Sequence, residues 1–155
     1  MTSEAKKEFT IRISQANKSG LIVILYEMYL AYLEDAINNP DDRAVFREGI
    51  RKARGCINEL MNSLDFTYEL SYLLLRLYIY VNKEMAAADV RGSSEQLLAC
   101  RKIIEELLSA YREVSRLDTS APVMENAQTV YAGLTYGKGK LTESLSNEGN
   151  RGFLA

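Results

Sequence analysis

The chain has 155 residues, a formal charge of -2 and a pI near 5.3. That length suits one domain with a real core, and that charge offers no general attraction to nucleic acid or to an anionic membrane. With no histidine and only two cysteines, the usual neutral-pH general base, the Ser/His and Cys/His nucleophile pairs and the Glu-x-x-His ligands of di-iron bundles are excluded.

Residues 1–8 lack the apolar run of a secretion signal, and no later stretch is long and charge-free enough to span a bilayer. A cytoplasmic protein without membrane insertion is expected. In residues 1–18, Phe9, Ile11 and Ile13 alternate with Thr10, Arg12 and Ser14, which predicts an extended arm with one apolar edge lying on the body as a lid.

Four helices are predicted over residues 19–117. The first runs over about 19–37 and stops at Asn38-Asn39-Pro40, with Asp41 or Asp42 placed to cap the next. Between Leu21 and Leu33 its only charged residue is Glu27, so its apolar surface exceeds one stripe and includes Val23, Tyr26 and Leu30. In the second helix Phe46, Ile50, Ala53, Ile57, Leu60 and Leu64 form a bundle seam. Arg43, Arg47, Arg51 and Arg54 belong to its solvated face.

The third helix begins near Thr67 and ends at Gly92, a residue suited to a left-handed cap. One of its stripes, Leu70, Leu74, Leu77, Val81 and Ala88, reads as core. A second, Tyr68, Tyr72, Leu75 and Ile79, lies roughly 150° away at helical spacing. In the fourth helix, Leu97, Cys100, Ile104, Leu107, Tyr111 and Val114 point inward, with Ser93 and Gln96 as an expected capping box. Short links favour an all-α, up-down-up-down antiparallel four-helix bundle.

The two cysteines stand singly inside helices, as buried structural thiols do, with no metal-ligand spacing. No catalytic residue, metal site or cofactor is expected. Residues 118–155 hold five of the nine glycines among scattered apolar residues, the composition of a partly extended tail that wraps a surface. The surplus stripes have two readings. They line a groove for a partner helix, through Tyr68, Tyr72, Leu75, Ile79, Val23, Tyr26 and Leu30, or they are core covered by neighbouring elements.

The third helix carries Leu77-Tyr78-x-Tyr80-Val81 and then Ala88-Asp89-Val90-Arg91, and the first carries Leu21-Ile22-x-x-Leu25-Tyr26-Glu27. With Ala110-Tyr111-Arg112 in the fourth, this ordered set resembles the flagellin-specific export chaperone family, FliS. The family's runs are Leu-Tyr-x-Tyr-Met, Ala-Asn-Leu-Arg, Leu-x-x-x-Leu-Tyr-Asp-Gly and Ala-Trp-Lys. The likeness covers residues 17–115. Met28 stands where the family commonly has glycine, Asn17-Lys18 where it has Ser-Pro, and the tyrosine-rich arm is absent.

The resemblance implies a cytosolic four-helix chaperone that binds the disordered carboxy-terminal segment of flagellin, blocks premature polymerisation and presents the subunit to the flagellar export gate. A structural or regulatory bundle that homodimerises through the same grooves is the alternative.

Overall fold

The computed structural model describes residues 1–125. Among them there are five helices: α1 (Ser3–Gln15), α2 (Lys18–Asn38), α3 (Arg43–Asn62), α4 (Glu69–Arg91) and α5 (Glu95–Leu117). No strand occurs among the described residues.

The expected extended arm is a helix. Residues 3–8 are mostly good helix formers, no glycine or proline interrupts Ser3–Gln15, and the Thr2 hydroxyl caps the first turn by accepting from the Ala5 N–H at 3.2 Å. These local preferences outweigh the short alternation of Phe9, Ile11 and Ile13. The helix lies antiparallel along α2: the amino terminus of Met1 pairs with Asp35, and Arg12 pairs with Glu27 at 2.5 Å.

The links follow from local chemistry. Asp42 caps α3, its carboxylate accepting from the Ala44 and Val45 N–H groups at 3.1 Å each. Gly92 closes α4 with φ of 66°, a conformation that costs other residues energy. The capping box expected at Ser93 does not form. Ser94 is the N-cap of α5, Ser93 Oγ accepts only from the Glu95 N–H, and Gln96 Oε1 is buried without a hydrogen-bond partner.

Helix α2 packs on α3 and α5, α3 packs on α4, and α4 packs on α5, so four helices close a ring around one core. Neighbours run in opposite directions. Glu34 and Glu27 of α2 meet Arg101 and Arg112 of α5, while Asn58 and Arg47 of α3 meet Asn82 and Asp89 of α4.

The surplus apolar surface of α2 has three neighbours, α1, α3 and α5. Glu27, its one charged residue in that run, receives Arg12 from α1 on one side and Arg112 from α5 at 3.1 Å on the other. Residues beyond α5 return to the start of α2. Asn17 Nδ2 donates to the carbonyls of Asp118 and Ser120, Ser19 Oγ donates to the Asp118 carboxylate, and the Val123 N–H donates to the Ala16 carbonyl at 3.0 Å. The tail expected to wrap the body lies, from residue 126 on, outside the described residues.

Candidate functional site: an exposed apolar face on α4

Helix α4 separates its two stripes. The buried one is Ser71, Leu74, Tyr78, Val81, Met85 and Ala88, spaced alternately three and four residues apart as a bundle seam requires. Leu70, expected in the core, is 56% exposed, and Leu77 is half-buried. Hydrogen bonding explains the rotation: the Ser71 hydroxyl donates to the Asp65 carbonyl at 2.5 Å, and Tyr78 pairs its hydroxyl with that of Tyr26 inside the core. Two polar tips that a hydropathy reading places outside are thereby satisfied inside.

The second stripe faces outward. Tyr68 is 66% exposed, Tyr72 55% and Ile79 53%, with Leu75 half-buried. Tyr68, Leu75, Asn82 and Asp89 are seven residues apart, hence on nearly one line of the helix. Asn82 and Asp89 of that line bond to Asn58, Arg43 and Arg47 of α3. The line therefore marks the side of α4 that adjoins α3, and Tyr72 and Ile79 lie just outside it.

Phe66, in the link before α4, packs against Tyr72 with ring centroids 5.1 Å apart, and extends the apolar face around the helix start. Tyr68 also borders a cleft of about 180 Å³ at this end of the bundle, with Ile22, Leu64, Leu70 and Tyr111 among its walls. Tyr78 reaches the cleft as well. Burial pushes its hydroxyl up to about 12 and raises that of Tyr111, so both stay neutral at physiological pH.

The three candidates on α2 are placed differently. Tyr26 is fully buried, packed near the rings of Tyr78 and Tyr111 at 6.4 and 5.6 Å, and Val23 is buried in the same core. Leu30 is half-buried against that core. None of the three joins the α4 face, because Val23 and Tyr26 are buried in the bundle core and Leu30 packs against it. Residues around α4 not anticipated as part of an exposed surface are Phe66, Leu70, Leu73 and Tyr80, and on α5 Val114, expected inward, is exposed as well. The signal was present in Leu73 and Tyr80, which fall on neither stripe and leave α4 with more apolar residues than two faces need.

An outward row of tyrosine and aliphatic side chains supplies binding chemistry. The rings bury area while the phenol hydroxyls stay wet, and fully covering each such side chain contributes about 1.5–3 kcal/mol before ordering costs. Among the described residues no helix is long and apolar enough to cross a membrane.

No curated protein matches this chain by sequence. A family model described as Flagellar protein FliS matches residues 1–118, a span that includes α1 to α5 entire. The chain therefore belongs to the FliS family of flagellar export chaperones.

Proposed function

We propose that this protein is a cytosolic chaperone for flagellin, built as an up-down-up-down antiparallel four-helix bundle over residues 19–117, with residues 1–18 and 118–155 as flanking segments. It binds the disordered carboxy-terminal region of flagellin on the face made by Tyr68, Tyr72, Leu75 and Ile79. A segment disordered alone can fold as an amphipathic helix on such a face. Once bound, it is withheld from the contacts by which subunits polymerise, and the complex is what the export gate receives. No covalent bond is made or broken, and no cofactor is needed.

One observation carries this reading. The outward stripe of α4 lies beside a complete buried stripe on the same helix, so the fold does not require it to be apolar. Exposed apolar patches of this kind generally mark a binding surface.

Co-expression with a flagellin carboxy-terminal fragment, followed by size-exclusion chromatography with mass measurement, tests it. A one-to-one complex is expected. Separate elution of the two proteins overturns the reading. A homodimer of this chain that persists unchanged with fragment present would instead assign the face to self-association.

A further inference from the structure

A second apolar groove, at the corner where α1 meets α2, adjoins the cleft beside Tyr68 and shares Lys18, Ile22 and Ser63 with it. Its volume is about 290 Å³; Ile13 of α1 and Leu21, Ile22, Ile24 and Leu25 of α2 line it, together with Lys18 of α2 and Glu59 of α3. None of its lining residues belongs to α4.

The chain's own continuation starts beside this corner. Asp118 and Ser120 are held by Asn17, Asp118 also by Ser19, and Val123 by the carbonyl of Ala16. Those anchors sit between Ile13 and Leu21, two of the groove's walls. Past Glu125, the sequence runs Asn126-Ala127-Gln128-Thr129-Val130-Tyr131-Ala132-Gly133-Leu134-Thr135-Tyr136.

We propose that the groove between α1, α2 and α3 is an interaction surface for this chain's own residues 126–155, with Val130, Tyr131 and Leu134 as the side chains that fill it. Reach permits it. Six residues from Glu125 to Tyr131 span up to about 20 Å, twice the width of a helix. Chemistry favours it too. Residues 126–142 contain no Asp or Glu and only two charges, Lys138 and Lys140, so a mostly uncharged segment meets a mainly apolar lining whose two charges, Lys18 and Glu59, offset each other. A tether of this length holds its segment at an effective concentration on the order of millimolar, so weak apolar contacts suffice. No α4 residue lines this groove, although it shares Ile22 with the cleft that Tyr68 borders, and the proposal does not depend on the identity of the client.

The protein has no tryptophan, so Leu134→Trp in the full chain introduces a single fluorescent reporter. The expected result is blue-shifted emission with loss of acrylamide quenching, independent of protein concentration. Adding Leu25→Glu or Ile13→Glu in the groove should return the emission to that of solvent-exposed tryptophan, with helical circular dichroism retained in at least one of the two. Solvent-like emission in the Leu134→Trp protein would overturn the proposal. So would a blue shift that survives both folded groove variants, or one that grows with concentration as the mass doubles, which would make a second copy the occupant.

Discussion

The hydroxyls of Tyr26 and Tyr78 pair with each other in the core, with both rings fully buried or nearly so. Removing one leaves the other as an unsatisfied buried group, which costs about 1–3 kcal/mol, whereas removing both leaves neither stranded. Tyr26→Phe and Tyr78→Phe should therefore each lower stability by that amount in urea melts, and the double variant should lie closer to wild type than the sum. Additive losses would mean that the pair is not coupled.

Titration behaviour follows from the same burial. It pushes Tyr78 up to about 12 and raises Tyr26 and Tyr29, while Cys56 and Cys100 are pushed up to about 11 from 9.0. A group whose pKa is raised on folding keeps its full contribution below its unfolded value and loses it as pH climbs through the folded value. Stability should thus hold up to about pH 9 and fall progressively toward pH 12. At the acid end, hydrogen bonds from Ser120 and Ser19 hold the Asp118 carboxyl at about 2, against 3.8 ordinarily. Its contribution is present above 3.8 and lost as pH falls toward 2. Protection of the Val123 amide, relative to the unstructured exchange rate at the same pH, should fall over that window; unchanged protection would separate the anchor from the carboxylate.

At the scale of elements, two glycines of one helix make opposite predictions. A Cβ on Gly49 would come within 2.8 Å of the Tyr32 carbonyl oxygen and 3.0 Å of Ala36, because α3 touches α2 backbone there. Gly49→Ala should destabilise by about 1–3 kcal/mol through overpacking. Gly55 has open space around its Cβ position, so Gly55→Ala should stabilise by about 0.5–1 kcal/mol, the ordinary helix preference. Thermal melts decide both, and equal effects would remove the close approach as the explanation.

The helices of the body were legible in the sequence because their stop signals are strong. Asn39-Pro40 and Gly92 end α2 and α4 as read, Asp42 caps α3, and the expected seam is buried from Phe46 to Leu60, while its last member, Leu64, falls beyond the end of α3 and is half-buried. The arm was misread because three apolar residues at alternate positions fit a strand, yet Phe9 and Ile13 are also four apart, the spacing of one helix face. The α4 core stripe was read one residue early at Leu70 and Leu77 because hydropathy prefers leucine to Ser71 and Tyr78. Tertiary hydrogen bonds, which no single-helix pattern contains, reverse that choice. On α2 the surplus did not distinguish a groove from a core, since both have the same composition. Only the ring of neighbours places Val23 and Tyr26 inside.

At the scale of the whole molecule, the core is closed by four helices, α1 lies along the outside of α2, and the start of α4 presents apolar side chains to solvent. The proposed binding residues are therefore not the core residues of the same helix, so binding should be removable without unfolding. Titration of a flagellin carboxy-terminal fragment into the Leu75→Lys/Ile79→Lys variant of the 155-residue chain, with circular dichroism in parallel, tests this most directly. The predicted result is a loss of about 2–4 kcal/mol in binding, roughly 30- to 1,000-fold in Kd, with helical signal and melting temperature retained. Unchanged affinity would place the client elsewhere, and loss of helical signal would show the stripe to be core.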